Sequence, residues 1–155
     1  AGAITGQVFT LGEATTQAVS NATYAVQTTA GLQLSVQSLP SGTLSFSHSS
    51  DMAAGLNAAQ ANGNWQANMG GVKVNWTAQE LVLKGTSTSG CTYAGQMTSV
   101  NGMGIYKVQF TETCADATLV MTGVATMNPA NDRLTVVATN EGETQATALM
   151  FVKQP

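Results

Sequence analysis

The sequence predicts an all-β protein: an antiparallel sandwich or small barrel of about nine or ten short strands, with one short helix near residues 51–61. Three observations predict it. Apolar and polar residues alternate with period two along almost the whole chain. Turn signals interrupt that alternation roughly every 8–12 residues. The only two cysteines, Cys91 and Cys114, bracket a single hairpin pattern.

The elements follow in order. "ATYAVQT" sets Tyr24 and Val26 on one face, and "LQLSVQS" sets Leu32, Leu34 and Val36 against Gln33, Ser35 and Gln37. "TLSFSHS" continues with Leu44 and Phe46, after a turn at Pro40-Ser41-Gly42. "SSDMAAGLNAAQANG" breaks the pattern. Ser50 or Asp51 serves as N-cap, Met52, Leu56 and Ala59 fall at helical spacing, and Gly63 is the stop. "NWQANM" and "VKVNW" are strands on either side of Gly70-Gly71, and "ELVLKG" follows as another. "TLVMTGVATM", "RLTVVATN" and "ATALMFVK" complete the set, separated by turns at "NPAND" and "NEGE". "GVATM" and "VVATN" are too short to count as a repeat. Residues 1–11 form an N-terminal arm and 12–155 one β domain, with no linker between two cores.

The stretch between the cysteines is the most informative. Cys91–Val100 and Ile105–Cys114 are strands joined by "NGMG", where Asn101 and Gly102 tolerate positive φ. Pairs whose numbers sum to 205 set Cys91 opposite Cys114, Tyr93 opposite Glu112 and Gly95 opposite Phe110. One face then carries Cys91, Tyr93, Met97, Tyr106, Val108, Phe110 and Cys114. The other carries Thr92, Gln96, Thr98, Lys107, Gln109, Thr111 and Thr113. Glu112 alone breaks the division, which places it at the open end of the sheet or turns it outward on a bulge. Opposed residues of an antiparallel pair lie close enough for a disulfide, so Cys91 and Cys114 staple the hairpin. A persistent disulfide belongs outside the cytoplasm. The absence of an initiator Met before Ala1 is as expected of a mature chain whose signal peptide has been removed.

Two resemblances follow from quoted residues. "LVLKGTSTSGCTYAGQMT", "YKVQFTETC", "VMTGVATMNPANDRLTVVATN" and "ALMFVKQP" together resemble a family of small secreted or lipid-anchored bacterial β-proteins of unknown function. The likeness covers residues from about 63 to 155. It comprises a Gly-Thr-Ser-rich turn before the first Cys, an aromatic two residues after it, and a second Cys closing the next strand. Gln154 interrupts the Lys-Pro ending of that pattern, and the resemblance brings no catalytic motif. "AITGQVFTL" resembles the N-terminal donor strand of chaperone–usher pilins of the archaic type. That resemblance implies an arm inserted into a neighbouring subunit, with Ile4, Val8, Phe9 and Leu11 filling pockets and Gly6 allowing close approach. The Cys that such pilins carry soon after the arm is missing here.

Composition narrows the function. Charged residues are 8% of the chain, against about 25% in an average domain. Such a surface lacks the repulsion that keeps domains apart, which favours a homo-oligomer or homopolymer. Five scattered basic residues form no patch for nucleic acid, and no apolar run is long enough to span a bilayer. A Ser–His–Asp triad would have to use His48, which lies on a strand without a nucleophile elbow. Most of the eight acids fall in turns or at strand ends; Glu141 and Glu143 flank Gly142 and could hold Ca²⁺ weakly. No catalytic constellation, metal spacing or cofactor motif stands out. The expectation is a non-enzymatic, secreted protein of the cell exterior or surface, a filament subunit assembled by strand donation. The competing expectation is a lipocalin-like barrel, extracellular or periplasmic, with Trp65, Trp76, Tyr93, Tyr106 and Phe110 lining a small-ligand pocket.

Overall fold

A computed structural model describes residues 55–155 in full and, before them, the backbone of five strands. Those are β1 (Ala3–Phe9), β2 (Gln17–Ala18), β3 (Asn21–Gln27), β4 (Gln33–Gln37) and β5 (Thr43–Ser47). Then come α1 (Ala58–Ala61), β6 (Gly63–Met69), β7 (Val72–Gln79), β8 (Val82–Ser87), β9 (Thr92–Ser99) and β10 (Ile105–Thr113). The chain finishes with β11 (Thr118–Met127), β12 (Arg133–Asn140) and β13 (Gln145–Gln154).

From β6 onward each strand pairs antiparallel with the next, and β13 returns to β6. The result is a closed, up-and-down barrel of eight strands, not a sandwich. Closure removes exposed sheet edges, and eight strands enclose about as much space as their own side chains can fill. Every other residue points in: Val74, Trp76 and Ala78 on β7, Tyr106, Val108 and Phe110 on β10, Leu134, Val136 and Ala138 on β12. The closing seam is the shortest ladder in the wall. It holds three pairs, Val152–Gln66, Lys153–Trp65 and Gln154–Asn64, and Lys153 lies over the Trp65 ring at 5.2 Å.

A sheet must coil tightly to close so small a barrel, and inward-facing glycines such as Gly95 and Gly123 mark where it does. A Cβ on Gly95 would lie 2.5 Å from the Cα of Phe110, its cross-strand partner. One on Gly123 would lie 2.6 Å from the Cα of Ala138. Strand glycines at such corners let neighbouring backbones approach and bend the sheet.

The hairpin between the cysteines has the expected register throughout, from Tyr106–Ser99 to Thr113–Thr92. The Cys91–Cys114 disulfide closes its open end, with Cα atoms 4.2 Å apart. The ladder contains no bulge, so Glu112 stays on the inward face and is buried.

Two expectations need correction. The helix does not span 51–61: Gly55, Leu56 and Asn57 are not helical, and α1 begins at Ala58. Asn57 is the N-cap, bonded to the Gln60 backbone while the Gln60 side chain answers to Asn57 N–H. This reciprocal cap starts the helix where its own hydrogen bonds are satisfied; Ser50 and Asp51 lie outside the described residues. The strand read at "ELVLKG" loses its first two residues. Glu80 and Leu81 have φ of 50° and 67° and form a tight turn into β8. A turn with two left-handed residues matches the strand twist, as Gly70 and Gly71 do between β6 and β7.

The N-terminal strands pair mostly among themselves. β1 pairs with β3 over seven residues, β4 with β5 over five, and β2 adds two pairs to β13 beside the seam.

Candidate functional site

The open end of the β9–β10 hairpin gathers the most unusual chemistry among the described residues. The turn Thr88–Gly90 leads into Cys91 and β9, and β10 returns through Glu112 to Cys114. Because Glu112 is two residues before Cys114, its side chain shares the face of the sulfurs. Glu112 is 3% exposed, the only charged residue buried among the described residues. It accepts a hydrogen bond from the Tyr93 hydroxyl at 2.8 Å. Ser87 Oγ accepts from the Cys91 N–H at 3.1 Å, and Ser89 Oγ donates to Cys91 Sγ at 3.7 Å. Burial pushes the Tyr93 phenol well above its ordinary range, and the neighbouring Glu112 charge and hydrogen bond push the same way. A bond with Ser87 opposes them weakly. A buried carboxylate is costly unless its oxygens find donors, so Tyr93 is the residue that makes Glu112 tolerable here. Cys91 Sγ, a Glu112 oxygen and Cys114 Sγ all lie within 4.8 Å of one another.

The five aromatics expected to line a pocket lie inside the barrel, all 4% exposed or less. Trp76 is at their centre, with ring centroids 5.8 Å from Tyr93, 5.0 Å from Phe110 and 4.7 Å from Phe151. Trp65 and Tyr106 lie toward α1. The Trp65 indole donates to the Ala61 carbonyl at 2.8 Å and the Tyr106 hydroxyl to the Asn57 carbonyl at 2.7 Å. The Trp76 indole N–H is buried and finds no acceptor among the described residues. These rings pack on one another and on the wall.

The outer face carries a different feature. Val124 and Val137 are cross-strand partners, both exposed, and they border a shallow depression of about 340 Å³ with Thr122, Thr139 and Ala146. Met150 and Val152 extend the apolar strip along β13.

The expected donor residues Ile4, Gly6, Val8 and Phe9 stand on β1, opposite Val26, Tyr24, Ala22 and Asn21 of the same chain. Leu11 lies outside the described residues, and His48 does too. Glu141 and Glu143 are exposed in the β12–β13 turn, where Asn140 Oδ1 accepts from the Thr144 and Gln145 N–H groups. No helix among the described residues is long and apolar enough to cross a membrane.

Comparison with known proteins finds no family model, no curated protein and no solved structure that matches the chain. Both family resemblances therefore rest on the quoted residues alone.

The disulfide-end cluster was partly legible beforehand. The register that joins the cysteines also sets Tyr93 opposite Glu112. Ser87 and Ser89 carried no signal, because serines are common in turns and only the folded turn aims their hydroxyls at Cys91.

Proposed function

We propose that this protein is a non-enzymatic structural subunit of the cell exterior that self-associates by donating its N-terminal strand. One observation carries the reading: among the described residues β1 pairs with β3 alone, as a two-stranded sheet separate from the barrel. A two-stranded ribbon is marginal in water and readily exchanged. The same seven pairs form equally well when β1 comes from a second copy, so exchange costs no main-chain hydrogen bonds. A swap that runs on from copy to copy, each giving and receiving, is heterologous and builds a fibre. The resemblance of this segment to a donor strand would assign the anchoring positions to Ile4 and Val8 and the close approach to Gly6. The low charge of the chain fits repeated self-contact. The disulfide fits an oxidising compartment.

The test is the native mass by light scattering, with and without residues 1–11. Large assemblies that vanish on truncation support strand donation; a monomer in both forms overturns it.

A second reading has one observation in its favour. The Trp76 N–H, without an acceptor among the described residues, is a donor in the barrel interior, where a small ligand with a hydrogen-bond acceptor could satisfy it. The packed aromatics weigh against a lipocalin-like cavity. A ligand-dependent change in tryptophan fluorescence that Trp76→Phe abolishes would favour it.

A further inference from the structure

We propose that reduction of the Cys91–Cys114 disulfide converts the open end of the β9–β10 hairpin into a divalent transition-metal site, with Cys91, Cys114 and Glu112 as ligands. The donor set is two thiolates and a carboxylate, which Zn²⁺ takes in tetrahedral geometry with water in the fourth position. The three ligand atoms already lie within 4.8 Å of one another. Two ligands of one zinc stand about 3.5–4 Å apart, given metal–ligand bonds of about 2.0–2.3 Å. The two sulfurs, bonded to each other in the disulfide, would separate to that distance by side-chain rotation after reduction.

Three further features distinguish this cluster from an ordinary staple. The carboxylate is buried on an apolar face, where a staple alone needs no charge. A second layer of polar groups already addresses the donors: Tyr93 holds the carboxylate and Ser89 reaches Cys91 Sγ. Such outer partners orient ligands and tune metal affinity. The site also lies under exposed turns, Thr88–Gly90 on one side and Ala115–Ala117 on the other, which offer an ion a way in from solvent.

The chemistry balances. A dithiol reductant gives two electrons and two protons to the disulfide and is itself oxidised to a disulfide, leaving two Cys thiols. The metal ion then displaces both thiol protons to water and binds two thiolates. Glu112 enters as a carboxylate, so the bound site has a net charge of −1. A disulfide oxidant reverses the sequence: it takes two electrons from the thiolates and two protons from water to become a dithiol, the Cys91–Cys114 bond re-forms and the ion is expelled, which makes the site redox-gated.

Co²⁺ is the probe, because thiolate-bound tetrahedral cobalt absorbs in the near ultraviolet and the visible. The full chain, reduced with a metal-free phosphine, is titrated with Co²⁺ while tryptophan fluorescence reports the fold. The expected result is one Co²⁺ per reduced chain with thiolate-to-metal absorption, and none per oxidised chain. Glu112→Gln is expected to weaken binding about 10-fold or more. Tyr93→Phe, which leaves all three ligands but removes the outer hydrogen bond, is expected to weaken it about 10-fold. If the reduced chain loses its fold, Co²⁺ should restore it, since binding and folding are then coupled. Reduced protein that stays folded without cobalt absorption overturns the proposal. So does unfolded protein that Co²⁺ fails to rescue, or affinity in Glu112→Gln and Tyr93→Phe that equals that of the unsubstituted chain. None of these results depends on strand donation.

Discussion

The β9–β10 hairpin buries a tyrosine hydroxyl near each end, and the two are satisfied in different ways. At the turn end Tyr106 donates to a neutral acceptor, the Asn57 carbonyl in the residue before α1. At the disulfide end Tyr93 donates to the Glu112 carboxylate. Burial alone pushes the Tyr106 phenol up to about 12. Burial raises the Tyr93 phenol too, and there the neighbouring Glu112 charge and hydrogen bond push the same way. The turn end is held by backbone caps and aromatic packing, which any well-made barrel needs. The disulfide end is held by a covalent bond and a buried charge. A buried charge adds nothing that apolar packing could not supply, so it is the stronger pointer to chemistry.

The comparison can be broken at either end. The largest effect is expected from removing the covalent bond. The Cys91→Ala, Cys114→Ala double variant should lose roughly 3 kcal/mol by denaturant titration, because the bond closes a 23-residue separation. A loss well under about 1 kcal/mol would mean that the hairpin holds its end without the bond.

Next come the two tyrosines. Tyr93→Phe leaves a buried carboxylate without its donor and should cost about 1.5–3 kcal/mol. Tyr106→Phe removes a bond to a neutral carbonyl and should cost about 1 kcal/mol. Equal losses would erase the distinction between the ends.

Alkaline pH sharpens the same contrast. Both phenols have folded pKa values raised above the unfolded value near 10. Their contribution is fully present below pH 10. Above it the unfolded chain releases protons that the folded chain keeps, so stability falls as pH rises from about 10 toward 12. The phenolate absorbance of the folded protein should stay low for both groups in that window. Tyr106→Phe should flatten part of the decline and Tyr93→Phe the rest.

The smallest effect lies at the turn end, away from the tyrosine. Glu80 has a left-handed backbone, and its N–H donates to Asn62 Oδ1, just past α1. Glu80→Asn should stabilise by a few tenths of a kcal/mol, read as a small rise in melting temperature, since Asn adopts that conformation more easily.

Much of the hairpin could be read without coordinates. Its register and two faces follow from alternation and one turn, both local properties. The disulfide follows from that register. Glu112 was visible as an exception to the pattern, but its direction was not. A bulge would have turned it outward, and whether a strand bulges depends on what its neighbours can accommodate. Here Tyr93 was already opposite, with a hydroxyl to donate.

The helix shows the opposite limit. "DMAAGLNAAQ" has helical spacing from Met52 on, yet Gly55–Asn57 are not helical and only Ala58–Ala61 form α1. Tyr106 takes the Asn57 carbonyl, and Trp65 takes that of Ala61. The Tyr106 contact comes from 49 residues along the chain, which a local reading does not weigh, whereas Trp65 is only four residues past Ala61.

By itself the sequence determined the class, the strand faces, the hairpin register and the disulfide, because each is decided between residues that are neighbours in sequence or across one turn. Only the tertiary structure decided that the sheet closes as a barrel and that the aromatics fill it. Closure joins β13 to β6, nearly the full length of the barrel apart in sequence, through three pairs. It depends on the coiling of every strand between them, set at corners such as Gly95 and Gly123 and not by any local pattern.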